Sequence, residues 1–212
     1  MKNARDGLIR SGDRRWRCFW AGSEGIYLRY HDTEWGFPVD ADQRLFEKLC
    51  LEGFQAGLSW LTILKKREAF RRAFAGFDFE KVARFGRRQV GQLLQNAGIV
   101  RHRGKIESTV NNARRACELA DEVGSLAAYF WRFEPLPSSR PRRLTRAALM
   151  KLTASQESQA LARDLKRRGF SFVGPTTVYA FMQAMGLIND HAEGCAFRDR
   201  AAEARITFTR PA

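Results

Sequence analysis

Apolar residues along the chain recur mostly at intervals of three and four, and strict alternation is scarce, which predicts helices rather than strands. Asp40 or Asp42 can cap a helix with Leu45, Phe46, Leu49 and Cys50 on one face. A second helix is expected from about Leu58 to Phe74, with Trp60, Ile63, Leu64, Phe70 and Phe74 inward. Asp78 caps a short third helix (Val82, Phe85), and Val90, Leu93, Leu94 and Ala97 mark a fourth that Gly98 ends. Ile106, Val110, Ala113, Cys117 and Ala120 make a long fifth helix, and Ser125 caps a sixth containing Tyr129, Phe130 and Trp131. The run EPLPSSRPRR over 134–143 reads as a loop. Thr153 with Gln156 forms a capping-box pattern before Leu161 and Leu165. Pro175 opens the last helix, whose Val178, Phe181, Met182 and Met185 face inward, and Gly186 closes it. The fold class is all-α. One domain is expected over 16–195, between a poorly ordered basic extension (1–15) and a poorly ordered tail (196–212).

Composition narrows the setting. A chain of 212 residues with 44% apolar content can bury a sizeable core. No apolar run approaches the ~18–20 residues of a membrane helix. The start, MKNARDGLIRSGDRRWRCFW, lacks the apolar core of a signal peptide, so a cytoplasmic protein is expected. Four cysteines (18, 50, 117 and 195) argue against a disulfide framework there; some are buried thiols, or some hold a metal. Charge adds a functional clue. Lys and Arg number 37 against 23 acidic residues, a net +14. The basic residues cluster at 65–67, 71–72, 101–105, 140–143 and 166–168. That excess suits a polyanion such as DNA or RNA, the alternative being a merely well-solvated surface.

Three stretches carry candidate chemistry. In YHDTEWG (30–36) a histidine stands between carboxylates and aromatics. His31 with Cys18 near one end, and His191 with Cys195 in NDHAEGC near the other, would give zinc a complete tetrahedral set and clasp the two regions together. Filled in this way the ion would be structural, with Asp32 a candidate acceptor for an imidazole N–H. The alternative is two buried thiols and two solvated histidines. In LLQNAGIVRHRGKI (93–106), Gly98 and Gly104 frame a basic turn between two helices. Backbone amides there could meet a phosphate, with charge from Arg101, Arg103 and Lys105; an ordinary exposed turn is the alternative. In CLEGFQAGLSW (50–60), Glu52 is followed by two glycines that could thin a wall and admit a ligand. Trp60, Tyr30, Trp20 and Trp35 could offer flat faces to a planar base whose edge a carboxylate reads, or they are plain core.

Together RCFW, YHDTEWG, CLEGFQAGLSW, LKKRE, AGIVRHRGKI, KRRGFSFVG and FMQAMGLINDHAEGC resemble the 3-methyladenine DNA glycosylase I family, in its order, over roughly residues 16–195. The resemblance implies a helix–hairpin–helix glycosylase fold, two helical lobes around a base pocket, and one zinc joining the terminal regions. It implies Cys18, His31, His191 and Cys195 as zinc ligands and Glu52 as the carboxylate that binds the extruded base. Trp60 then stacks on that base, with Trp20, Tyr30 and Trp35 at further pocket positions. Ala180 is a departure, since some members carry a hydroxyl there, so one pocket hydrogen bond would be missing.

The activity so implied is hydrolytic excision of N3-methyladenine from alkylated double-stranded DNA, with free 3-methyladenine as product. The lesion is cationic and leaves readily, and no lysine stands at an evident nucleophile position. Base removal without strand cleavage is therefore expected, from a monomer associated with the nucleoid. Two rival readings are a zinc-clasped nucleic-acid-binding protein without catalysis and a glycosylase for other damaged bases.

Overall fold

A computed structural model describes residues 7–22 and 25–212. Strands β1 (Leu8–Arg10) and β2 (Trp16–Cys18) pair antiparallel, with Leu8 opposite Cys18. Every other long element is helical: α1 (Gly25–Thr33), α2 (Asp42–Gln55), α3 (Trp60–Ala73), α4 (Phe79–Ala83), α5 (Arg87–Gln95) and α6 (Arg103–Val123). There follow α7 (Leu126–Trp131), α8 (Arg146–Leu149), α9 (Gln156–Arg167), α10 (Pro175–Ala184) and α11 (Arg198–Thr207).

Caps set the boundaries. Ser59, Asp78 and Ser125 each accept a backbone N–H from the first turn of α3, α4 and α7. Asp42 does not cap α2, as the sequence suggests. Its carboxylate crosses to the start of α7 and accepts from the amides of Leu126 (3.0 Å) and Ala127 (2.8 Å), uniting two helices distant in sequence. The capping box before α9 is formed by Ser155 and Ser158 rather than Thr153 and Gln156. Both serines are short enough to close reciprocal bonds over one turn, at 3.1 and 2.8 Å.

Helix α2 is the centre. Leu45, Phe46, Leu49, Cys50, Leu51 and Phe54 are all buried, so apolar side chains surround it rather than forming one stripe. Phe54, Phe70, Phe74 and Phe77 continue this core in a tilted and stacked series. Helix α10 packs on α2 and α9 and ends where Gly186 adopts φ +77°. A Cβ at Gly186 would lie 2.4 Å from the backbone of Phe37, so only glycine permits this approach. Gly36 N–H and Val39 N–H donate there to the Gln183 and Met185 carbonyls, fixing the 36–39 segment to the end of α10.

Two expectations of disorder give way. Residues 1–6 lie outside the described residues, but the β1–β2 hairpin begins at Leu8 and is tied to the far end of the chain by the Ala196 N–H donating to Trp16 O. The tail forms α11, which buries Ala201. Beyond it Phe208 packs on Trp131, and Arg205 and Arg210 both reach Glu134. Polar composition conceals this helix, because its anchors are a few contacts rather than an apolar face.

Candidate functional site: an aromatic cavity backed by a Cys/His cluster

Helix α1 carries the first four residues of YHDTEWG. Successive helical residues point about 100° apart, so Tyr30 and His31 serve different neighbourhoods. His31 is fully buried and its Nε2 lies 3.6 Å from Cys195 Sγ, while its Nδ1 is 2.8 Å from Asp32. With Nδ1–H donating to that carboxylate, Nε2 presents a lone pair. Ligand atoms of Cys18, His31 and Cys195 all lie within 4.8 Å of one another. His191, the fourth residue of the expected set, stands beside them with its ring centroid 5.0 Å from that of His31. Its Nδ1 is 2.9 Å from Asn189 Oδ1, which leaves Nε2 as an acceptor, and that buried atom has no hydrogen-bond partner.

The electrostatics suit a cation. Burial, then the nearby His31, pushes the His191 pKa down to about 3, so the ring is neutral and can ligate. The hydrogen bond between the two thiols, with burial, drives Cys18 well above the ordinary thiol range, whereas the same bond, aided by His31, holds Cys195 at about 5. Two sulfurs, an imidazole nitrogen and an orphaned second imidazole nitrogen fit zinc's preferred donors. Asp32 is itself held by Arg17 at 2.7 Å, so the outer partners of the cluster are also fixed.

Tyr30 faces the other way, into a cavity of about 270 Å³. Trp20, Tyr30, Trp35 and Trp60 all line it, as does Glu52, and Ala180 contributes to the wall from α10. The rings brace one another: Trp20 meets Trp35 edge-on at 4.7 Å and Tyr30 lies 5.3 Å from Trp60. Trp35 also meets His191 edge-on at 4.8 Å, so the cluster and the cavity share this side chain. Glu34, the second carboxylate of YHDTEWG, does not line the cavity. It pairs with Arg67 through both oxygens and with Arg44.

Glu52 is buried on the wall, and its Oε1 lies 2.7 Å from Lys48 Nζ, one helical turn earlier on α2. Lys48 is a residue the sequence reading passed over. Its ammonium also donates to Tyr30 OH at 2.8 Å and sits 3.1 Å from the centroid of the Trp60 ring. Tyr27, Gln55, Gln183 and Asp190 were likewise not anticipated as lining residues. Tyr27 precedes Tyr30 by three residues and becomes legible once 25–33 is recognised as a helix. The glycines after Glu52 do not open the wall. Gly53 abuts Phe172 and Gly57 supplies a positive-φ turn.

The basic turn of 93–106 joins α5 to α6. His102 Nδ1 accepts from Lys105 N–H and caps α6, which leaves the first amides of that helix, at Arg103 and Gly104, without helical acceptors. Arg101 and Arg103 are exposed, the latter paired with Glu107. Gly98 is tied back through its amide to Asn96 Oδ1 at 2.9 Å. Lys105 departs from expectation: its ammonium is turned inward, donating to the carbonyls of Phe54 (2.9 Å) and Ala56 (2.5 Å). It closes the end of α2, because those terminal carbonyls have no helical donor.

Comparison with known proteins gives the family. The methyladenine glycosylase family model matches residues 20–199. DNA-3-methyladenine glycosylase 1 of Escherichia coli (strain K12) is 45% identical over 180 residues, covering 84% of this chain and 95% of its own. The DNA-3-methyladenine glycosylase of Haemophilus influenzae (strain ATCC 51907 / DSM 11121 / KW20 / Rd) is 44% identical over 182 residues, covering 84% and 96%. A crystal structure of 3-methyladenine DNA glycosylase I aligns with TM-score 0.78 and 47% identity, over 85% of this chain and 98% of that one. A variant of 3-methyladenine DNA glycosylase I, in complex with 3-methyladenine, aligns with TM-score 0.79 and 35% identity, over 86% and 97%. The chain belongs to the methyladenine glycosylase family and is an enzyme of the glycosylase class.

Proposed function

We propose that the protein extrudes N3-methyladenine from alkylated double-stranded DNA and removes it by hydrolysis, leaving an abasic site and an uncut strand. The carrying observation is Glu52: a buried carboxylate on the wall of an aromatic cavity, with one oxygen held by Lys48. Such a cavity accepts a planar base between ring faces, and the remaining carboxylate oxygen accepts hydrogen bonds from its edge.

The chemistry asks little of the protein. N3-methylation makes the base cationic, so breaking the C1′–N9 bond returns the electron pair to an electron-deficient ring and neutralises it. The sugar becomes oxocarbenium-like, water adds to C1′ and loses a proton. Glu52 holds the edge of the departing base, and its negative charge favours the positive charge that passes from base to sugar. Trp60 stacks on the extruded base, with Tyr30, Trp20 and Trp35 around it. Arg101, Arg103 and the free first-turn amides of α6 would hold phosphates in the manner of a helix–hairpin–helix.

Cys18, His31, Cys195 and His191 would hold one zinc ion, which would supply a structural link rather than chemistry, because four protein donors leave no open position. The residues fit this role on the orphaned His191 Nε2 and the converging sulfurs.

The deciding experiment incubates the protein with N-methylated duplex DNA, identifies the released bases by chromatography and examines the strand. Free 3-methyladenine and a strand that breaks only on alkali treatment are expected. Absence of free base rejects excision, and a borohydride-trapped covalent complex rejects simple hydrolysis.

A further inference from the structure

Lysine is among the residues least often buried, and one buried without a partner is costly. Lys48 is buried, and the three side chains that its ammonium meets all line the cavity. Its ammonium meets Glu52 Oε1 at 2.7 Å on its own helix, Tyr30 OH at 2.8 Å on α1, and the Trp60 ring at 3.1 Å on α3. One ammonium thus fixes three side chains from three helices.

The directions of these contacts matter more than their number. An ammonium only donates. Glu52 is therefore held as an acceptor by one oxygen, with its second oxygen free to accept again. Tyr30 OH uses a lone pair on Lys48, so its own proton is free to be donated. Side by side on the cavity wall stand an acceptor and a donor, the complement of an amino group next to a ring nitrogen on a purine edge.

We propose that Lys48 is a positioning residue of the base pocket, whose ammonium sets Glu52 as acceptor and Tyr30 as donor toward the flipped base and steadies the Trp60 ring on which that base stacks. The inference rests on the excision reading above and adds a residue to it. A second consequence concerns charge. The pair Lys48–Glu52 is neutral as a unit, so the pocket selects its base by hydrogen-bond polarity as well as by attraction of a cation. Burial pulls the Lys48 pKa down to about 8, against the upward pull of Glu52. The other charged groups acting on it are Glu34, which raises it, and Arg67 of α3, which lowers it.

The test is single-turnover release of 3-methyladenine from methylated duplex DNA by wild type, Lys48→Met, Glu52→Gln and the double variant, from neutral to alkaline pH. Circular dichroism and thermal melting serve as controls. K48M should be slower by about tenfold or more at neutral pH. Its loss should largely disappear in the E52Q background, since both act through one contact. The wild-type rate should fall as pH rises through about 8, and folded K48M should lack that limb. A folded K48M with the wild-type rate and the same pH profile overturns the proposal, as do fully additive losses. Should K48M not fold, Lys48→Gln decides: a folded variant with the wild-type rate overturns the proposal, and slower release whose loss largely disappears in the E52Q background sustains it. Wild type releasing no 3-methyladenine rejects the excision reading itself, whereas normal wild-type release with an indifferent K48M rejects the role of Lys48 alone.

Discussion

The Cys/His cluster and the aromatic cavity lie on either side of Trp35, yet their polar groups are arranged on opposite principles. In the cluster three of the four donors have an outer partner: Asp32 on His31, Asn189 on His191, and the Ala192 amide on Cys18. The ligand atoms of Cys18, His31 and Cys195 converge, and all four residues are buried. In the cavity Glu52 is held by one oxygen only and the rings leave space between them. The same contrast separates the two carboxylates Glu34 and Glu52. Glu34 is bound through both oxygens by arginine and carries structure, while Glu52 retains an open oxygen and faces a ligand-sized space. Glu34 has finished coordination and Glu52 has not, and on the proposed reading the open oxygen is the one that meets the base.

Breaking the closed side should have the largest effect. Cys18→Ala or His191→Ala should lower stability by more than about 4 kcal/mol, the class of effect expected on losing a metal site. For a chain of this size that is about 8–16 °C in melting temperature. Metal analysis of unchelated protein should find one zinc per chain, and sub-stoichiometric zinc would remove the basis of this expectation.

Breaking the open side should spare the fold and impair chemistry. Glu52→Gln keeps the shape but removes a charge-assisted hydrogen bond worth about 1.5–3 kcal/mol. Expressed fully in the transition state, that is roughly ten- to a hundred-and-fifty-fold in single-turnover release. The variant also strips Lys48 of its counter-charge, and Lys48, already titrating at about 8, then sheds its proton rather than unfolding the chain. Excision by E52Q at the wild-type rate would show that the base is read elsewhere. Trp60→Ala should cost a stacking contribution of about 1–3 kcal/mol, measured as weaker quenching-monitored binding of free 3-methyladenine.

The smallest effect is expected at the basic turn. Arg101→Ala and Arg103→Ala should each lower the slope of log K against log salt by roughly one unit, equally for every DNA sequence. Lys105→Ala should leave that slope unchanged, because its ammonium is engaged by Phe54 and Ala56. A slope altered by Lys105 but not by Arg101 would reverse the assignment of this surface.

How much of this was legible depended on whether a residue's role followed from its neighbours in sequence. Helices α4 and α7 were readable because period and cap agree locally, and α2, α3 and α6 from their period alone. Helix α1 was not, since GIYLRYHDT serves the cavity on one face and the cluster on another and shows no single apolar stripe. The β1–β2 hairpin pairs only three residues a side, too few to display alternation. Cys18, His31 and Cys195 could be named from residue type and family resemblance, and the structure brings them together. Lys48 could not, because a charge one turn before Glu52 reads as helix surface until α1 and α3 are seen to cover it. Lys105 erred in the other direction: a lysine in a basic turn reads as a phosphate contact until its ammonium is found closing another helix.

The depth of the two thiols has a chemical consequence. Agents that methylate adenine in DNA are electrophiles, and cysteine sulfur is among the nucleophiles they attack fastest. Cys18 is 0% exposed and Cys195 6%, whereas Cys117 is only partly buried. On the zinc reading, the stress that creates the lesion should reach Cys117 before the two sulfurs that would hold the ion.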